Sequence, residues 1–137
     1  MSVVTELLRT ESDGTISFGN YELDQKSKVE DYEFRGEIYK VKTFKEITKL
    51  EKNGMFVYES VPGTSVTSLN LDEQGVSFTV EGNEDAQITL ELEDDTDYTV
   101  SIDGETVGNM KTNMSGKLSL SVELDPGRSV AVSIEKD

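Results

Sequence analysis

The chain has 137 residues, which is enough for one ordinary domain or two very small ones, and it carries a net charge of −15 at pH 7. It contains no cysteine and no histidine, which excludes disulfides, thiolate or imidazole zinc sites, and every Ser-His or Cys-His catalytic arrangement. An enzyme made from this chain would have to use carboxylates, tyrosine or lysine.

The first half is rich in strand patterns, but those patterns are irregular. Residues 3–10 fit either a strand or a short helix, because the apolar run is too short to distinguish the two periods. Residues 43–52 fit one or two helical turns, but residues 48–52 fit equally well the first arm of a hairpin that turns at Asn53-Gly54. Residues 15–23 fit a strand that is broken at Gly19, and residues 37–43 and 55–61 also show strand patterns.

The second half alternates apolar and polar residues with a period of two, as expected for strands with one buried face and one solvent-exposed face. Turn residues separate the runs, and Asp103-Gly104 is a strong two-residue hairpin signal. This spacing favours an antiparallel sandwich of immunoglobulin-like type. The predicted strands are residues 66–71, 76–80, 88–92, 98–102, 106–110, 118–124 and 130–134.

The segment Val61-Pro62-Gly63-Thr64 is the best candidate boundary, since Pro and Gly interrupt both strand pairing and helix. We therefore predict an all-β protein with a small strand-rich unit at residues 1–62. An immunoglobulin-like antiparallel β-sandwich follows at residues 63–137. The pattern leaves open whether the two units share one core.

Most of the negative charge lies after this boundary. Residues 1–61 carry 12 acidic and 9 basic side chains, whereas residues 62–137 carry 16 acidic and 4 basic ones. Such a surface repels phosphate backbones and anionic membrane surfaces. We therefore expect neither nucleic acid nor a membrane among the partners.

The acidic segment at residues 91–97 holds five carboxylates in seven positions. Strand alternation directs Glu91 and Glu93 to solvent. The three aspartates that follow lie in a connection, where such side chains either bond their own backbone or gather a calcium ion. Calcium is the only cofactor that the sequence suggests. The candidate ligands are Asp94, Asp95 and Asp97.

Basic residues are concentrated only in one part of the first half. Lys40 and Lys42 are expected to share the outer face of a strand whose inner face carries Tyr39 and Val41. The lysines either protect an exposed strand edge or recognise an acidic ligand or the acidic half of another copy. The set comprises Lys40, Lys42, Lys45, Lys49 and Lys52.

Residues 98–104 read Tyr-Thr-Val-Ser-Ile-Asp-Gly, and they are followed by a Ser-Gly turn at residues 115–116 and alternating strands at residues 118–124 and 130–134. This half of the chain resembles the small immunoglobulin-like sandwiches that bacteria append to glycan-processing proteins. The resemblance implies an accessory module that binds a glycan.

The whole chain is also similar to short acidic bacterial proteins that carry the label endosialidase, which implies hydrolysis of polysialic acid. Sialidase-type sites use an arginine cluster, a tyrosine nucleophile and acidic partners. No local motif assembles those parts here, and no catalytic residue is nominated. The three arginines are widely spread, at Arg9, Arg35 and Arg128.

These observations favour a non-catalytic binding or assembly module whose partner is another protein or a second copy of the chain. A glycan-binding accessory module is the alternative, because the aromatic residues of the first half could stack on a sugar. A glycosidase is the third hypothesis, with one of Glu30, Asp31 and Glu33 as the acid. Whether the protein is an enzyme is left open, with the balance against it.

The N-terminus has no basic segment and no apolar run of signal-peptide length. We therefore expect the chain as given to be cytoplasmic. A mature fragment of an exported protein with a replaced start would look the same.

Overall fold

The computed structural model describes residues 3–137, which form thirteen β-strands. The all-β prediction is confirmed, and no helix in residues 3–137 is long and apolar enough to cross a bilayer. The strands are β1 Leu8–Thr10, β2 Ile16–Phe18, β3 Ser27–Phe34, β4 Glu37–Phe44, β5 Ile47–Lys52, β6 Met55–Val61, β7 Ser65–Asp72, β8 Gly75–Glu81, β9 Ala86–Glu91, β10 Asp97–Ile102, β11 Glu105–Lys111, β12 Lys117–Val122 and β13 Val130–Lys136.

The strands form two antiparallel sheets. The seven-stranded sheet has the order β1-β2-β7-β8-β13-β10-β11, and the six-stranded sheet has the order β12-β9-β6-β5-β4-β3. Strands from both sides of Pro62 occur in each sheet, because β2 pairs with β7 and β6 pairs with β9. The two units predicted at residues 1–62 and 63–137 therefore do not correspond to separate sheets.

The inner faces of the two sheets pack on one shared hydrophobic core. Tyr58 of the six-stranded sheet meets Phe18 and Phe78 of the seven-stranded sheet edge to face, with ring centroids 5.2 and 5.7 Å apart. Such pairs add to the stabilisation from apolar burial. The fold is therefore sandwich-like, and the core contains residues from both halves of the sequence.

The predicted boundary at residues 61–64 is the crossing from one sheet to the other. It starts at the end of β6, contains a cis Val61–Pro62 peptide bond and leads into β7. Thr64 is fully buried, and its hydroxyl lies 2.8 Å from the hydroxyls of Tyr58 and Ser60. The crossing is therefore packed into the core that the two sheets share.

The two lateral sides of the sandwich differ. On one side, the edge strands β1 and β3 are joined by the hydroxyls of Thr10 and Tyr32, which are 2.9 Å apart. The guanidinium of Arg35 also donates to the carbonyl of Gly14 at 2.6 Å. On the other side are β11 and β12, which lie in different sheets and are joined by residues 112–116.

Candidate functional site

The acidic segment forms a tight connection between β9 and β10. The hydroxyl of Thr112 donates to the carbonyl of Glu93 at 2.6 Å and accepts from the amide of Thr96 at 2.9 Å. Asp95 takes the left-handed conformation at φ 50°, and its carboxylate lies 3.4 Å from the ammonium of Lys111. Contacts within the chain therefore hold this connection in place.

The three candidate calcium ligands are not brought together. Asp94 and Asp97 are exposed, and Asp95 faces Lys111. Within residues 3–137, no group of three or more acidic side chains is arranged to hold a metal ion. Calcium at this loop stays a prediction from sequence, and the geometry gives it no support.

The other carboxylates of the segment engage lysines. Glu91 lies 3.6 Å from Lys117, and Glu93 lies 2.5 Å from Lys136. The hydrogen bond with Glu93 raises the pKa of Lys136 above its usual value. A cleft of about 460 Å³ opens beside them, and its acidic lining includes Asp72. That carboxylate already accepts from the amides of Gln74 and Gly75 in the β7–β8 turn, at 2.8 and 3.2 Å, so Asp72, Glu91 and Glu93 are all engaged within the chain.

Three lysines, Lys28, Lys42 and Lys49, form a row on the outer face of the six-stranded sheet. The strand registers place Lys42 directly opposite Lys28 on one side and Lys49 on the other. Like charges at this spacing repel each other. Glu30 and Glu51 offset part of the repulsion, at 2.9 Å from Lys28 and 3.7 Å from Lys49.

The position of Lys40 and Lys42 in the sheet distinguishes between the two interpretations of the lysine-rich segment, edge protection and recognition of an acidic partner. Lys40 and Lys42 share the outer face, as predicted, because Tyr39 and Val41 are buried. They belong to β4, which is an interior strand of the sheet. Protection of a strand edge therefore does not explain them, and recognition of an acidic ligand or of the acidic half of another copy stays a prediction.

The residues considered for a glycosidase do not assemble into a site. Arg9 binds Glu11, Arg35 binds a backbone carbonyl and Arg128 binds Asp103, so each arginine has a different local partner. The hydrogen bond from Lys28 lowers the pKa of Glu30. A general acid at neutral pH needs the opposite shift.

The side of the sandwich at β11 and β12 is open. A cleft of about 590 Å³ lies between the β10–β11 hairpin and the β12 side of the sandwich. Its apolar lining residues are Ile102, Val107 and Val130, and its charged ones are Asp103, Glu105, Glu123 and Arg128. Val107 is 57% exposed. The sequence analysis missed this surface, because alternation shows which side chains face inward but not which strands lie at an edge.

No family model, curated protein or solved structure matches the chain. The resemblances to immunoglobulin-like modules and to proteins labelled endosialidase therefore stay expectations from the sequence. Function is argued below from the surfaces of the chain itself.

Proposed function

We propose that the protein is a non-catalytic module that binds a protein partner through the open side of its sandwich, formed by β11 and β12. The observation that carries this proposal is the cleft of about 590 Å³ between two sheet edges, with Val107 exposed beside it. A cleft that joins an exposed apolar side chain to unpaired strand edges is suited to binding another protein, because the edges can add a strand and the side chain can be buried.

The contrast between the two lateral sides supports the proposal. Thr10 and Tyr32 join the edges on one side, whereas β11 and β12 leave a cleft on the other. Edge strands in soluble proteins are normally covered or blocked, since unpaired backbone groups attract other strands. A side that is left open therefore fits a surface that is covered by a partner.

The test is position-specific photo-crosslinking in cells that produce the protein. A benzophenone amino acid replaces Val107 in one variant and Ile38 in the matched control, which is 42% exposed on the outer face of the six-stranded sheet. We expect a discrete protein adduct at position 107 and none at position 38. Equal labelling at both positions, or none at either, would rule out the open side as the interface.

A glycan-binding module is the second candidate, supported by the row of Lys28, Lys42 and Lys49. Phe56 lies beside it, with its ring centroid 5.8 Å from the ammonium of Lys49. An anionic glycan would relieve the repulsion between the lysines and could stack on the ring. A glycan array at low salt tests this, with Lys42→Glu expected to abolish binding and Lys45→Glu, outside the row, to preserve it. Absence of binding to every acidic glycan on the array would rule out this candidate.

A further inference from the structure

We infer that two copies of the chain pair through β12, edge to edge and antiparallel, so that their six-stranded sheets become one continuous sheet. The inference rests on the proposed function, because it names the partner that meets the open side of the sandwich. Pairing around a two-fold axis uses the same patch on both copies and closes after two chains.

Three of the four sheet edges formed by residues 3–137 carry a feature that discourages pairing. β1 has only three residues. β3 is interrupted by a register shift at which Asp31 takes φ 57°, and β11 is interrupted by another beside Gly108 at φ 155°. Short edges, bulges and charges are the usual protection against edge-to-edge association.

β12 lacks these features. It pairs with β9 at six consecutive positions without a register shift, and its only charged residue is Lys117 at the first position. Leu118, Leu120 and Val122 point into the core and are already buried in one copy. A second strand could therefore add to this edge without any rearrangement of the core.

The direction of the backbone groups follows from two contacts at the ends of β12. The amide of Leu92 donates to the carbonyl of Gly116 at 2.7 Å, and the amide of Leu124 donates to Asp85 at 3.0 Å. Even-numbered positions of the strand therefore face β9, since backbone groups alternate in direction along a strand. Odd-numbered positions present their N–H and C=O groups to the open edge.

One of these odd positions is already engaged. The amide of Lys117 donates to the side chain of Asn113 at 2.9 Å, and its carbonyl accepts from the amide of Asn113 at 3.1 Å. Ser119, Ser121 and Glu123 have no backbone partner on this side among residues 3–137. These are the groups that a second strand would meet.

A register centred on Leu120 matches the two edges. It places Ser119 opposite Ser121 of the second copy, so that both residues can exchange backbone hydrogen bonds. It also places Lys117 opposite Glu123, twice by symmetry, on the outer face of the sheet. A shift of two residues in one direction loses these pairs, and the same shift in the other direction sets Lys117 opposite Asp125, which lies three residues beyond the end of β12. Charge complementarity with the carboxylate nearest the end of the strand therefore favours this register and a second copy as the occupant.

The first test uses Ser121→Pro, with Ser121→Ala as the matched control. Both remove the side-chain hydroxyl, but only proline removes the N–H that faces the open edge and that one copy alone does not use. Sedimentation equilibrium from micromolar to millimolar protein should show a dimer for the wild type and the alanine variant. Dimerisation by the proline variant should be at least about tenfold weaker, since each copy loses one donor.

The second test addresses the register and does not depend on proline being tolerated. Glu123→Lys should weaken dimerisation, because it sets two lysines opposite each other, and the double variant Lys117→Glu, Glu123→Lys should restore it. Thermal melts of each variant report whether the fold is kept.

The possible outcomes separate this inference from the proposed function. A wild type that stays monomeric at all concentrations overturns the inference, whereas an adduct with a different protein at position 107 would still support the proposed function. A dimer that is unaffected by both Ser121→Pro and Glu123→Lys would place the interface elsewhere and also overturn the inference.

Discussion

Thr64 connects the two sheets through buried hydroxyl groups. Its side chain meets the hydroxyls of Tyr58 and Ser60, and its carbonyl accepts from the hydroxyl of Thr48 at 2.8 Å. Every buried side-chain polar atom in the described part of the chain has a hydrogen-bond partner. Burial raises the pKa of Tyr58 above its usual range, so its hydroxyl stays protonated.

Removing the hydroxyl of Thr64 should lower the free energy of unfolding more than removing the hydroxyl of Tyr58. Thr64→Val leaves the hydroxyls of Tyr58 and Ser60 buried without a partner, and we expect it to lower the free energy of unfolding by about 3 kcal/mol. Tyr58→Phe leaves Thr64 bonded to Ser60 and should cost about 1 kcal/mol. Urea unfolding measures both, and equal losses would show that Thr64 is not the shared partner.

Glu11 makes the free energy of unfolding depend on pH in the acid range. Its carboxylate accepts hydrogen bonds from the hydroxyl of Ser17 and, at 2.8 Å, from Arg9, and these contacts lower its pKa. A lowered folded-state pKa stabilises the fold above the unfolded-state pKa, and this contribution is lost as the pH falls through the folded-state value. Protonation of Glu11 therefore contributes to acid unfolding.

The variant Glu11→Gln tests this dependence. At pH 7 it should lower the free energy of unfolding by about 1 kcal/mol, because the charge-assisted hydrogen bonds are weakened. The difference from the wild type should shrink below the unfolded-state pKa and vanish once the wild-type carboxyl is protonated. Urea unfolding at a series of pH values measures it. A difference that is independent of pH would contradict the role of the charge.

Calcium should leave the melting temperature unchanged. Asp95 is engaged by Lys111, and the three candidate ligands do not converge. A ligand at a hundredfold excess over its dissociation constant would stabilise the fold by about 2.7 kcal/mol, which a thermal melt detects readily. A rise in melting temperature with calcium that is absent in Asp95→Asn would establish the site instead.

The crossing between the sheets requires a residue without a side chain at position 63. A Cβ atom on Gly63 would lie 2.0 Å from the carbonyl oxygen of Phe44, which belongs to the backbone and has little freedom to move. The amide of Gly63 also donates to the carbonyl of Lys45 at 3.0 Å. The β4–β5 turn and the crossing are therefore packed backbone against backbone.

Gly63→Ala should destabilise the fold by at least about 2 kcal/mol because of this overlap. Gly54→Ala is the matched control, since its Cβ would meet nothing within 4 Å and only its positive φ of 78° opposes substitution. We expect the control to cost about 1 kcal/mol. Chemical denaturation measures both, and a smaller loss for Gly63→Ala than for Gly54→Ala would contradict the packing.

Sequence patterns identified the strands of the second half better than those of the first. Alternation there is regular because one face of each strand lies on the core. Residues 43–52 had an apolar spacing that also suited a helix, yet they contain β5, which is paired with both β4 and β6. Residues 47–52 form a strand because they pair with a strand on each side. The pattern within the segment does not show whether such neighbours exist.

At the scale of the whole molecule, neither half has a complete sheet of its own. Residues 63–137 supply five strands to one sheet but only β9 and β12 to the other, and β9 would lose its neighbour β6. The fragment 63–137 should therefore not unfold cooperatively, because the core residues that residues 1–62 supply would be missing and their neighbours would be exposed. Circular dichroism melts of the fragment and the full chain measure this, and a cooperative transition in the fragment would support the domain boundary predicted at Pro62.

The sequence by itself determined the all-β class, the inward residues of most strands and the exclusion of histidine and cysteine chemistry, because these depend on composition and local periodicity. Only the tertiary structure decided that the two halves interleave, that Lys28, Lys42 and Lys49 form one row and that β12 is an unprotected edge. Strand order and register arise from contacts between distant residues, and alternation along a single strand does not encode which strand will be its neighbour.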